Sequence, residues 1–218
     1  PSRESYSVYA QTTYSLSDAF RIVSGLRYSE DTFTTDVTNF LNVESFQEEG
    51  TTDEITSRVV AEVDFSEDLM GYFALARGFK PGGSNLTFGF DDDNAPPMVF
   101  PTFDAETVDS VEFGLKSTFA DGAARANIAV FSYTYENLQF QATDPDIYRG
   151  GVANIPESEM SGLEIEFTGF LTDSLSLDMN LAFLDSEVTS DYEVLDNVDA
   201  YPYSVSYTHL TLPTKRNV

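Results

Sequence analysis

The sequence predicts an all-β chain: an antiparallel, up-and-down β-meander of about eight long strands, patterned as in the wall of a transmembrane β-barrel. Three observations carry that prediction. From Glu106 to Gln139 the chain reads as one long hairpin: Val111, Phe113, Leu115 and Phe119 share one parity, and Ser110, Glu112, Gly114, Lys116 and Thr118 share the other. Side chains alternate faces along a strand, so one face is apolar and the other polar, over arms far longer than the ~5–6 residues usual in soluble strands. Second, short turns at Asp18, Asp68, Asp121 and Asp173 recur about every fifty residues, separated by long polar stretches. Third, no apolar run approaches the ~18 residues of a membrane helix, a test that barrel strands escape because alternation averages them to mild polarity.

The elements follow in order. Tyr6, Val8, Ala10 and Tyr14 share a face of the first arm; after the turn at Asp18, Phe20, Ile22, Leu26 and Tyr28 alternate with Arg21, Gly25 and Arg27. Residues 30–54 carry eight acids and no base, which predicts a solvated outer loop. Ile55, Val59, Ala61, Val63 and Phe65 oppose Arg58, Glu62 and Asp64, and the return arm runs from Leu69 to Phe79, where Arg77 breaks the apolar parity as a rim charge. Pro81-Gly82 suits the centre of a type II turn and ends that strand. Residues 84–105 read as a second outer loop, and residues 141–156 as a third. Asp121-Gly122 supplies the left-handed backbone that a tight hairpin needs. In the last hairpin Leu163, Ile165 and Phe167 oppose Glu164 and Glu166; then Leu175, Leu177, Met179, Leu181 and Phe183 oppose Ser176, Asp178 and Asn180. The expected pairings are 5–14 with 20–29, 55–65 with 69–79, 106–119 with 123–139 and 158–169 with 175–186.

Composition narrows the partners. Acids outnumber bases 37 to 11, a net charge of −26, which argues against nucleic acid or an anionic lipid surface. Without cysteine there is no disulfide framework and no thiolate metal site. Pro1 opens neither a signal peptide nor an initiator Met, which reads as an internal fragment whose export signal lies upstream. At Tyr201 the composition changes: no acid follows Asp199, and Lys215, Arg216 and the sole histidine, His209, appear. Residues 1–200 therefore read as the folded part and 201–218 as a non-native tail.

Catalysis finds no constellation, since no Ser-His or Cys-His pair can be built, and the chain is read as a non-enzyme without a cofactor. Asp91-Asp92-Asp93 lacks the spacing of a calcium loop, so no metal site is expected. Glu112, Lys116, Arg125, Glu164 and Glu166 sit mid-strand on the polar parity. In a barrel they line the lumen, and a ladder of cross-strand ion pairs is the expected arrangement.

Several of these stretches resemble, in order, motifs of TonB-dependent outer-membrane receptors: Gly25-Leu26-Arg27-Tyr28, the run from Ala76 to Gly83, Glu106-Thr107-Val108 leading to the run Glu112–Lys116, Phe131 to Gln139, and Gly162-Leu163-Glu164. The resemblance covers most of residues 5–190. It implies an arc of a transmembrane barrel of about 22 strands, a plug domain and a TonB contact absent from this chain, and uptake of a small-molecule iron chelate, most commonly a siderophore, through the bacterial outer membrane. Partners implied are outer-membrane lipid, the plug, TonB through the plug, and the chelate. Because such receptors catch cargo on outer loops, Arg77, Lys80, Tyr148 and Arg149 are the candidate substrate contacts. Two rivals stand beside this reading: a small closed eight-stranded outer-membrane barrel, and a soluble β-rich glycan-binding module.

Overall fold

The computed structural model describes residues 1–38, 45–85, 102–143, 150–172, 174–190, 193–195 and 204–206. Twelve strands are present among them: β1 (Ser2–Ser15), β2 (Phe20–Thr38), β3 (Ser45–Ser66), β4 (Leu69–Lys80), β5 (Gly83–Ser84), β6 (Thr102–Phe103), β7 (Glu106–Phe119), β8 (Ala124–Thr143), β9 (Gly150–Thr172), β10 (Leu175–Val188), β11 (Glu193–Leu195) and β12 (Ser204–Ser206). Eight of them form one antiparallel sheet in the order β1-β2-β3-β4-β7-β8-β9-β10. The pairs β5-β6 and β11-β12 stand as separate two-stranded sheets. All four expected hairpins pair as neighbours. β1 and β10 are the two edges and do not join, so the eight strands make an open arc, not the closed eight-stranded barrel.

The strands outrun the sequence reading at one end. Residues expected as a solvated loop continue the β2-β3 ladder, from Glu30 opposite Asp53 out to Thr38 opposite Ser45. The β8-β9 ladder likewise runs to Thr143 opposite Gly150. In the β2-β3 extension acids and threonines predominate, so the ladder itself, with cross-strand bonds such as Thr32 Oγ1 to Thr51 Oγ1 at 3.0 Å, extends the strand. Asp91-Asp92-Asp93 lies outside the described residues.

At the other end the turns are tight, and hydroxyls hold three of them. Ser17 Oγ accepts from the Phe20 N–H at 3.1 Å, Ser66 Oγ from the Asp68 N–H at 3.2 Å, and Thr172 Oγ1 from the Ser174 N–H at 3.3 Å. The aspartates read as the turn signal sit beside the groups that do the bonding. The fourth turn is different. The Ala123 N–H donates to the Ala120 carbonyl, with Asp121 at φ 55° and Gly122 at φ 86°, as a type I′ hairpin turn requires. A Cβ added at Gly122 would meet nothing within 4 Å, so Gly122→Ala tests backbone conformation alone. It is expected to cost about 1 kcal/mol, read as a lowered urea midpoint of the lipid-inserted barrel.

Pairing register assigns each residue a face. One cross-strand row runs Tyr14, Ile22, Ala61, Phe73, Phe113, Val130, Leu163, Phe183, and the next row on the same face runs Phe20, Val63, Gly71, Leu115, Ile128, Ile165, Leu181. These side chains have no protein layer over them: Phe113, Val130 and Phe183 are exposed, as are Leu177 and Leu181. The apolar band also drifts across the sheet. It centres on Ala10 in β1, but the row that starts at Ala10 ends at Glu187, whereas the band on β10 spans Leu177 to Phe183. That is about one residue per strand, ~3.4 Å along for each ~4.8 Å across, a slope of about 35°. A band level with a membrane demands that slope when the strands tilt as they do in a barrel.

Candidate functional site

The opposite face is polar and collects the long-range side-chain bonds. Arg21 bridges Glu62 and Asp64, each at 2.5 Å. Tyr72 Oη donates to Glu112 Oε1 at 2.6 Å, its ring lies over Gly114, and Lys116 Nζ stands 5.2 Å from the ring centroid. Asn127 donates to Glu166 at 3.0 Å, and Thr168 to Asp178 at 2.8 Å. Phe131 and Tyr133 stack at 4.7 Å, with Phe131 buried.

Register brings Glu112, Lys116, Arg125, Glu164 and Glu166 to this one face. Among the described residues no ion pair joins any two of them; neutral partners such as Tyr72 and Asn127 replace the expected ladder. A phenol or an amide spans the ~5 Å between strands and donates to the carboxylate in place of a cation. The substrate candidates separate. Arg77 lies on the apolar parity just above Leu75, where it pairs with Asp109 at 2.6 Å and reaches Glu136 at 4.0 Å. Lys80 ends β4 on the polar parity, and its carbonyl accepts from Gln139 Nε2 at 3.3 Å. Tyr148 and Arg149 lie outside the described residues.

Sequence reasoning missed how the segment after β4 is held. Arg3 pairs with Asp31 at 2.5 Å and donates through Nη2 to the Gly82 carbonyl at 2.7 Å. Ser84 Oγ donates to Thr35 Oγ1 at 2.7 Å. On the far side, Asn85 exchanges two 2.7 Å bonds with the backbone of Val152 in β9. Gln139 Nε2 donates to the carbonyls of Pro81 and Asp104, and Asn154 exchanges bonds with the Asp104 backbone. The segment 81–85 thus crosses the polar face from β1 and β2 to β9, and it covers Ser29, Asp31 and Thr35, all buried polar residues. The hydrogen-bonding residue types were visible in the sequence; their partners, many tens of residues away, carry no local signal.

Comparison with known proteins gives concordant results. The family model described as TonB dependent receptor-like, beta-barrel matches residues 1–214. A pesticin receptor of Yersinia enterocolitica is 28% identical over 200 residues, covering 88% of this chain and 27% of its own length. The crystal structure of the ferric yersiniabactin uptake receptor FyuA from Yersinia pestis superposes with a TM-score of 0.69 at 23% identity, over 85% of this chain and 27% of that one. The siderophore receptor PiuA from Acinetobacter baumannii gives 0.70 at 20% identity, over 94% and 28%. The chain spans about a quarter of the length of the curated relatives it matches.

Proposed function

Because this chain belongs to the TonB-dependent receptor β-barrel family, we propose that it is a stretch of the wall of a bacterial outer-membrane receptor that takes up a ferric chelate. One observation carries the proposal: an open, two-faced arc whose apolar band drifts with the slope of tilted barrel strands, in a chain matched by that family over residues 1–214. The apolar face meets outer-membrane lipid and the polar face lines the lumen. Of the cargo classes open to such a receptor, a siderophore-bound iron has the most support, since the relatives include one described as a probable TonB-dependent siderophore receptor.

The wall acts by position. Glu112, Lys116, Arg125, Glu164 and Glu166 present a charged lumen to an interior plug, and the segment after β4, with Lys80 at its root and Tyr148 and Arg149 in the next loop, faces the incoming chelate. We assign Arg77 a lesser part in cargo contact, since its guanidinium is held by Asp109 on the lipid-side parity. A receptor wall requires no catalytic group or cofactor, and none is assigned; nucleic acid is not a partner for a chain of net charge −26. Energy reaches the lumen through TonB acting on the plug.

The test is iron uptake by cells that carry the full-length gene. Radiolabelled iron supplied on a panel of siderophores should accumulate for at least one of them, and accumulation should fall to background when TonB is deleted. Uptake that persists without TonB would reject the proposal.

A further inference from the structure

Arg27 and Arg58 occupy adjacent strands on the polar face. Arg27 pairs in register with Thr56, and Arg58 with Gly25, so the two arginines are diagonal neighbours. Like charges so placed repel. Arg3, Arg21 and Arg77 each hold a carboxylate within 2.6 Å. Among the described residues Arg27, Arg58 and Arg125 hold none, and of these three Arg27 and Arg58 are the two that neighbour each other. Among the described residues Arg27 donates to Ser29 Oγ at 3.0 Å and to Ser7 Oγ at 2.8 Å, and Arg58 makes neither a hydrogen bond nor an ion pair. In a chain with 37 acids for 11 bases, two adjacent guanidiniums left without a carboxylate mark a place kept for an anion from outside the sheet.

The space beside them is built for occupancy. The arginines flank an open hollow of about 460 Å³ that Tyr9 and Gln11 also line, and its floor is made of small residues such as Gly25 and Ala76. A Cβ added at Gly25 would find no heavy atom nearer than the Ala10 carbonyl oxygen, at 3.9 Å, so room remains above the floor. The volume lies within the ~300–1,000 Å³ range of small-molecule sites. Arg58 brings a fork-shaped donor set that matches a carboxylate in two-point contact, and Arg27 adds the charge and the donors that Ser7 and Ser29 leave over.

We propose that Arg27 and Arg58 form a subsite for an anionic, carboxylate-bearing group of the cargo. This rests on the uptake reading above, and it narrows the cargo to chelates that carry an uncoordinated carboxylate.

Equilibrium dialysis of the full-length receptor in detergent against radiolabelled citrate, with radiolabelled glucose as the uncharged control, tests it without transport. The parent should bind citrate saturably and glucose not at all. Arg27→Gln and Arg58→Gln should each weaken citrate binding about tenfold or more, the loss expected when a charge-assisted hydrogen bond is removed. Gly25→Leu should fill the hollow and abolish binding, and Arg58→Lys, which keeps the charge and loses the fork, should bind measurably more weakly than the parent. Thr168→Ala, further along the same face, should leave citrate binding unchanged. Heat-modifiability on gels shows which variants keep a folded barrel, and Arg58→Lys carries the test if a glutamine variant does not fold. Citrate binding equal in Arg58→Gln and parent overturns the proposal. So does the absence of saturable citrate binding in the parent; if Arg58→Gln then also lowers the thermal midpoint, the anion is an acidic side chain from elsewhere in the same polypeptide. Because dialysis does not involve TonB, failure here leaves the uptake reading intact, and failure of uptake leaves the dialysis result intact.

Discussion

Leu115→Arg is expected to destabilise the bilayer-inserted barrel by roughly 2–4 kcal/mol, the cost of a guanidinium on the lipid face near the midplane. Leu115 stands in the row Phe20, Val63, Gly71, Leu115, Ile128, Ile165, Leu181, with Phe113 on the same face of its own strand. No polar side chain in that row can receive the charge. The next residue is the control. Lys116 points to the other face, where its ammonium stands 5.2 Å from the Tyr72 ring, and Lys116→Gln should cost only the ~0.5–1 kcal/mol of an exposed cation–π contact. Urea unfolding of the complete receptor from lipid vesicles separates the two, and equal losses would reject the assignment of faces.

Gly114→Val carries the second large effect, and its sign runs against propensity. Valine favours strands, and by propensity alone the change would stabilise by up to about 1 kcal/mol. Yet a Cβ at position 114 would fall 2.3 Å from the Tyr72 ring, which lies over the glycine. The ring must swing away, and with it go the 2.6 Å bond to Glu112 and the Lys116 contact. A lost hydrogen bond to a charged group costs about 1.5–3 kcal/mol, so a net loss of about 2 kcal/mol is expected. A double-mutant cycle isolates the cause: in a Tyr72→Ala background, Gly114→Val should be neutral or stabilising. An equal cost with and without the tyrosine would show that the ring is not responsible.

The fold was legible where period-two alternation is strong and turns are short. Leu175 to Phe183 and Val111 to Phe119 announce their faces residue by residue, because lipid on one side and water on the other impose opposite chemistry on successive positions. Above the apolar band neither face meets lipid, and even the covered face carries polar residues such as Asp31 and Thr35, so residues 30–38 lose alternation and read as loop, although the ladder carries them on as strand. Polar-face residues were legible as a set and not as partners. That Glu112 would meet Tyr72, or that Arg58 would meet no carboxylate among the described residues, depends on register across strands, which a single chain does not spell out. Arg77 read as a rim charge because it breaks parity; its pairing with Asp109 needs the β4-β7 register, and a substrate role for it rests on proximity to a loop alone.

The segment from Gly82 to Asn85 is anchored to β1 and β2 by Arg3 and Ser84, and to β9 by Asn85. Mechanically it is a tie rod strung across a bent plate. A curved sheet without one can splay or pinch, and its aperture breathes with every thermal bending mode. With the rod in place the chord is fixed, and bending on this side stiffens. In the receptor proposed above, a passenger would pass beside the tie instead of forcing the walls apart, and any widening that admits it would come from the part of the rim that no such rod braces.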